Sequence, residues 1–397
     1  MATEPTWEEL LGSKNWDGLI DPLNLSLRNF VLHCGDLSQA PMDAFNNDQG
    51  SKYAGSSRYG KKSFFEKVML ESASDYEVRA FLYAPTKLVS PSTMFNNSKS
   101  DDSWDRDSNM IGYIAVTTDE VSQASGRREI YIVWRGTVTF AEWMNDLDRG
   151  LVSAQELVPS EKDPKKVPGV MAGWLKMYVS SNPDSTFTNL SARTQLQKKI
   201  EELRNQYKDE KLSIIATGHS LGASLATLSA FDLVENGIRD IRVAAVVSAS
   251  PHVGDQVFVD RVEMYPNLKV FRTWNTHDNV PSFPQTKWGE YRAVGVELKV
   301  DKHKSPYLKT FADEHNLQGL LHVVSGWNGD NKPFEWSGKR SLALANRDTD
   351  LLKDDYLIPV HWWVEHNRGM IRNENGEWVL VQDEPEPEFK NVDGNEG

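Results

Sequence analysis

The chain has 397 residues, beyond the roughly 100–200 of a typical domain, so one large domain with extensions fits as well as two. Its 39% hydrophobic content allows a sizeable core and excludes a wholly disordered chain. With 44 Lys and Arg against 57 Asp and Glu, the net charge is −13; lacking a basic stripe, the chain is not expected to bind nucleic acid, and any membrane contact would be local and apolar.

In chain order, the first ten residues, Met1 to Leu10, are acidic and carry neither the basic nor the apolar region of a leader peptide. No apolar run approaches 18 residues, so no membrane span is expected. Residues 1–60 are mixed, with weak helical signals around 23–31. Cys34 is the only cysteine, which rules out an intramolecular disulfide, makes a cysteine-based zinc site unexpected and fits a reducing compartment. Residues 91–109 are rich in Ser, Asn and Asp and read as an exposed loop. Apolar runs at 111–117 and 130–134, joined by the polar turn Ser125-Gly126-Arg127, read as strands. Between 190 and 207 the pattern turns helical, with Leu196, Ile200, Leu203 and Tyr207 at i, i+4, i+7 and i+11. A buried strand at 212–217, a small-residue helix at 221–235 and buried strands at 243–248 and 270–274 follow. Apolar strands alternating with helices predict an α/β protein with a mostly parallel central sheet and helices on both faces.

Three parts are expected. Residues 1–105 form a helical or irregular extension packed on the core, and 106–382 form the α/β domain. Residues 383–397, with Asp383, Glu384, Glu386, Glu388, Asp393 and Glu396 around Pro385 and Pro387, form an acidic tail expected to be disordered.

Gly218-His219-Ser220-Leu221-Gly222 matches G-x-S-x-G. The pattern alone is weak, because a tight glycine turn with an ordinary serine also satisfies it. Its position between a buried strand and a helix is the context that a nucleophile elbow requires. Two glycines without Cβ atoms let strand and helix approach closely. The helix N-terminus then points free N–H groups at the serine. His219 is adjacent to Ser220 and is expected to pack or hydrogen-bond locally.

A serine nucleophile needs a base, and the base needs an orienting acid. Asp278, in His277-Asp278-Asn279-Val280-Pro281 after the strand at 270–274, is the candidate acid, with Asp255 as its rival. Five histidines follow: His303 in a Lys-rich, solvated stretch, His315 and His322 seven residues apart, and His361 and His366 among tryptophans. The residues themselves do not choose between His315 and His322. The oxyanion of the reaction needs preorganised donors. The backbone N–H of Leu221 is one candidate, and that of Thr137, in the turn Arg135-Gly136-Thr137 after the strand at 130–134, is the other.

Taken together, Trp134-Arg135-Gly136-Thr137, Trp143-Met144-Asn145-Asp146-Leu147, Gly218-His219-Ser220-Leu221-Gly222-Ala223, Ser250-Pro251-His252-Val253-Gly254 and His277-Asp278-Asn279-Val280-Pro281 stand in the order found in class 3 lipases. Trp7-Glu8-Glu9-Leu10-Leu11-Gly12-Ser13, Trp16 and Leu352-Lys353-Asp354-Asp355-Tyr356 resemble the plant phospholipase A1 enzymes of that family that lack a plastid-targeting extension. The resemblance covers nearly the whole chain except the acidic tail. It implies an α/β-hydrolase fold with Ser220 as nucleophile, Asp278 as orienter and His315 as base. Asn316 stands between His315 and Leu317 where the family has His-Leu, so His322 stays an alternative. The resemblance also implies an oxyanion hole at Thr137 and Leu221. It further implies a short lid over residues 138–145, carrying Phe140, Trp143 and Met144.

The expected activity is therefore hydrolysis of the sn-1 acyl ester of glycerophospholipids, with transient contact to a membrane surface. No cofactor or metal is expected, and the expected location is cytoplasmic. A galactolipid or neutral acylglycerol lipase would use the same machinery, and a non-catalytic lipase-like signalling protein is the alternative of another class.

Overall fold

Runs of β-branched and apolar residues build the sheet. In the computed structural model the strands as far as residue 300 are, in chain order, β1 (Tyr76–Pro85), β2 (Ser108–Thr117), β3 (Arg128–Trp134), β4 (Leu151–Ser153), β5 (Gly169–Met171), β6 (Leu212–His219), β7 (Arg242–Ser248), β8 (Leu268–Asn275) and β9 (Val296–Val300); a separate two-stranded hairpin, Met370–Arg372 with Trp378–Leu380, follows. The structure describes residues 4–47, 51, 53–85, 108–136, 148–183, 185, 187–285, 290–336, 338–363 and 370–380. β4 and β5 pair with each other, and the remaining seven make one sheet in the order β1-β2-β3-β6-β7-β8-β9. β1, β2 and β3 run antiparallel, whereas every pair from β3 through β6, β7 and β8 to β9 is parallel.

Successive strand residues point to opposite faces, and the parallel strands are apolar on both. Ile130, Ile132, Trp134, Ile214, Ala216, Val243, Ala245 and Val247 enter one core. Their neighbours Tyr131, Val133, Ile215, Ala244 and Val246 enter another on the opposite face.

Six helices of eight residues or more lie among the described residues: α1 (Leu25–Ala44), α2 (Ala172–Val179), α3 (Ala192–Gln206), α4 (Leu221–Glu235), α5 (Gln256–Glu263) and α6 (Leu317–Gly326). α2 to α5 cover the first core through residues such as Trp174, Leu196, Ile200, Leu225 and Phe258. α1 and α6 cover the second through Leu27, Val31, Leu37, Leu320 and Val324. α1 starts where Asn24 accepts hydrogen bonds from the N–H groups of Ser26 (2.8 Å) and Leu27 (3.3 Å), which satisfies donors a helix start leaves without partners. None of these helices is long and apolar enough to cross a membrane.

The segment expected to be a helical or irregular extension supplies more than that. β1 lies within residues 1–105, pairs with β2 and forms one of the sheet's two outer strands. α1, from the same segment, forms one of the two layers over the second face. The tail at 383–397 lies outside the described residues.

Candidate active site

β6 ends at His219 and α4 begins at Leu221, which leaves Ser220 alone in the turn with φ 58° and ψ −123°. A non-glycine residue held there stores on the order of 1–3 kcal/mol of strain. The surroundings enforce it. The Ser220 N–H donates to the Ser248 carbonyl on β7 at 3.0 Å, and the Ser220 carbonyl accepts from the Ala223 N–H at 3.0 Å. A Cβ on Gly218 would lie 2.4 Å from the Gly222 carbonyl carbon, and one on Gly222 would lie 2.3 Å from the Trp134 carbonyl oxygen. Only glycine fits either place, because the opposing atoms are backbone. Leu221, as the first residue of α4, has an N–H without an intrahelical acceptor, beside the serine.

The His315 imidazole Nε2 lies 2.8 Å from Ser220 Oγ, and its Nδ1 lies 2.7 Å from Asp278 Oδ2. With a carboxylate on Nδ1, the proton belongs there and Nε2 is left to accept. Asp278 sits in the turn after β8, with its side chain 2% exposed, and its other oxygen accepts from the Val280 N–H at 2.8 Å. Serine, imidazole and carboxylate thus form one hydrogen-bonded line that can lower the cost of deprotonating the hydroxyl and stabilise the imidazolium that results.

His315 precedes α6 and is held from several sides. Asn316 caps the helix by accepting from the Gly319 N–H at 3.0 Å. The His315 N–H donates to Asp313 Oδ1 at 3.0 Å. The buried Lys302 ammonium donates to the Ala312 carbonyl and to Glu314 Oε1, the latter at 2.6 Å. His219 Nε2 donates to the His315 carbonyl at 2.9 Å. Burial, with His315 adjacent, holds the His219 pKa well below its usual value, so this ring is neutral. Its Nδ1 has no hydrogen-bond partner among the described residues.

The structure separates the rivals. Asp255 caps α5 through the Phe258 N–H at 2.9 Å and accepts from Gly169 N–H at 3.0 Å. His322 lies inside α6, 3% exposed, with Nε2 on Ser305 Oγ at 2.8 Å. Its pKa is pushed down to about 4 by burial and by the Arg340 charge. His303 stacks edge-on against His277, and His361 is exposed. Thr137, the lid segment 138–145 with Phe140, Trp143 and Met144, and His366 lie outside the described residues. Arg135 and Gly136 are described: a Cβ on Gly136 would meet the His219 carbonyl at 2.9 Å, so the loop leading to Thr137 passes against the elbow. Lys302 and Glu314 carry no signal in the sequence, being 12 residues apart in irregular chain. Asn316 does carry one, since Asn directly before an apolar helical run marks a helix start.

Residues 131–288 match the family Lipase (class 3). Phospholipase A1-IIdelta of Arabidopsis thaliana is 50% identical over 98% of this chain and 100% of its own length. The chain belongs to the class 3 lipases. Another relative of this lipase, phospholipase A1-II 5 of Oryza sativa subsp. indica, is 44% identical over 94% of the chain and 82% of its own. Among solved structures, the native Rhizomucor miehei lipase propeptide complex aligns with 20% identity over 68% of each chain, at a TM-score of 0.41. As a class 3 lipase the protein is a carboxylic ester hydrolase acting on acyl lipids.

Proposed function

We propose that the protein is a phospholipase A1 that removes the sn-1 acyl chain of glycerophospholipids through an acyl-enzyme on Ser220. The hydrogen-bonded line Ser220–His315–Asp278, at 2.8 and 2.7 Å, carries the reaction type. The choice of substrate rests on the phospholipase A1-II relatives.

In this reading Ser220 Oγ attacks the ester carbonyl carbon while His315 Nε2 takes its proton. Asp278 holds the imidazolium. The Leu221 N–H, at the positive end of α4, and the Thr137 N–H, reached from Gly136, stabilise the oxyanion. His315 then gives the proton to the departing lysophospholipid alkoxide. Water, deprotonated by the same imidazole, releases the fatty acid and restores Ser220.

A chain with net charge −13 gains nothing from an anionic surface, so contact with lipid is assigned to the apolar residues Phe140, Trp143 and Met144. The buried free thiol of Cys34 fits a cytoplasmic location.

Mass spectrometry of the products from a phospholipid with distinct sn-1 and sn-2 chains tests the proposal. The expected products are the sn-1 fatty acid and a lysolipid that keeps the sn-2 chain. Release of the sn-2 chain, or turnover only of galactolipid or triacylglycerol in parallel assays, overturns it. Absence of hydrolysis on every substrate, including a short-chain p-nitrophenyl ester, would assign the fold to binding alone.

A further inference from the structure

The turns that follow β8 and β9 bring three metal-ligating side chains together at the surface. His277 immediately precedes Asp278, and Asp301 and His303 follow β9. One ligand atom from each lies within 4.8 Å of the others. His277 Nε2 is 3.2 Å from Asp301 Oδ1. The His277 and His303 rings meet edge to face with centroids 4.4 Å apart. Neither histidine contributes to the Ser220–His315–Asp278 line.

The spacing suits a small divalent ion. Two ligands bound at about 2.0–2.1 Å around a tetrahedral centre stand about 3.4 Å apart, close to the His277–Asp301 separation. The His303 imidazole, exposed and edge-on to His277, has to close in from within 4.8 Å. The donor set is two imidazoles and a carboxylate, with no thiolate and no ring of oxygens. That chemistry selects borderline ions such as Zn²⁺ over Ca²⁺ or Mg²⁺, which require mostly oxygen.

The local charges leave room for a cation. Two lysines flank His303 in sequence, and both are engaged elsewhere. Lys302 is buried against Glu314 and the Ala312 carbonyl. The Lys304 ammonium lies over the Trp327 ring at 5.3 Å. Asp301 supplies one negative charge beside His277.

We propose that His277, Asp301 and His303 form a structural site for a Zn²⁺-like ion, with water completing the coordination. The ion would clip together the two turns that support the triad. One carries Asp278, which faces His315. The other carries Lys302, which holds the segment Ala312–Glu314 leading into His315. The inference rests on these three side chains and does not depend on which lipid is hydrolysed.

Calorimetric titration of the full chain with zinc chloride tests it, run in excess Mg²⁺ so that surface carboxylates are occupied. The expected result is one Zn²⁺ per chain, with a rise in Tm that follows the added metal. His277→Gln and His303→Gln, both at exposed positions, should each weaken binding by at least about tenfold and abolish the Tm rise, with metal-free melts unchanged. His361→Gln should leave binding intact. Co²⁺ in place of Zn²⁺ should give the intense visible bands of a tetrahedral centre in the unmodified chain and not in the variants. Absence of saturable binding overturns the proposal. So does binding that survives both substitutions, because it would then belong to other surface groups.

Discussion

Ser220 is placed by backbone, and His315 by the groups around it, so the two fail differently when their surroundings change. Ser220→Ala and His315→Ala should each remove roughly 10³–10⁶ of the esterase rate, because members of such a line act as a unit. His322→Ala should cost far less, since that ring faces Ser305 and not Ser220. Rate constants on folded variants check the ranking, and a larger loss from His322→Ala than from His315→Ala would refute it. His219 gives a finer test. Its one hydrogen bond to the His315 carbonyl is worth about 0.5–1.5 kcal/mol, so His219→Phe should lower kcat up to about tenfold with KM little changed. His219→Gln, which keeps a donor, should recover part of the loss; an equal loss in both variants would leave His219 with a packing role alone. The serine and the aspartate were legible in the sequence because each sits in a recognisable turn directly after a buried strand. The choice between His315 and His322 was not, because it depends on the start of one helix. Asn316, read as an interruption of the family's His-Leu, is the N-cap of α6, which leaves His315 outside the helix and puts His322 within it.

Elements were legible in proportion to their apolar continuity. The strand expected at 212–217 and the helix at 221–235 correspond to β6 and α4, because runs buried on both faces of a parallel sheet contain almost nothing polar. β1 went unread. Glu77 and Arg79 interrupt its pattern, and as an outer strand it tolerates them. Only the first half of α1 is legible, since Gly35 and Pro41 oppose helix by propensity while packing against the sheet overrides them. Glycine suits the crossing of α1 and α6: a Cβ at position 35 would lie 2.3 Å from a Leu321 methyl, so that buried side chain would have to shift. Gly35→Ala should therefore destabilise the fold by about 1–3 kcal/mol through overpacking. It should also reduce kcat, because His315 directly precedes Asn316, the N-cap of α6. Gly35→Ala with Leu321→Ala should cost less than the sum of the two single changes, since residues in contact do not add. Denaturant midpoints of the three variants decide this, and strict additivity would show that the helices do not meet at this pair.

Over the whole molecule, the alternation of buried strands and helices was enough to predict two covered faces. What stayed hidden was how polar groups are stored beneath them. His33, His219, His252 and His322 are all buried to a degree that lowers their pKa, desolvation being the leading cause for each. In the unfolded chain a histidine takes up its proton near pH 6.5, whereas folded His322 does so only at about 4. Above pH 6.5 neither state binds the proton and this residue is neutral to stability. As the pH falls from 6.5 toward 4 the unfolded state binds the proton and the native state does not, so stability is lost across that window and the loss levels off below it. The size of the effect for His322 alone is about 2 kcal/mol at pH 5 and about 3 kcal/mol at pH 4. His322→Gln keeps a polar partner for Ser305 without a titrating ring. The variant should be somewhat less stable than the parent at pH 7 but should lose about 2 kcal/mol less between pH 7 and pH 5. Urea unfolding of both proteins at the two pH values measures that difference. Parallel curves would mean that His322 takes up its proton in the native state as readily as in the unfolded one, so that burial and the Arg340 charge do not hold its pKa down.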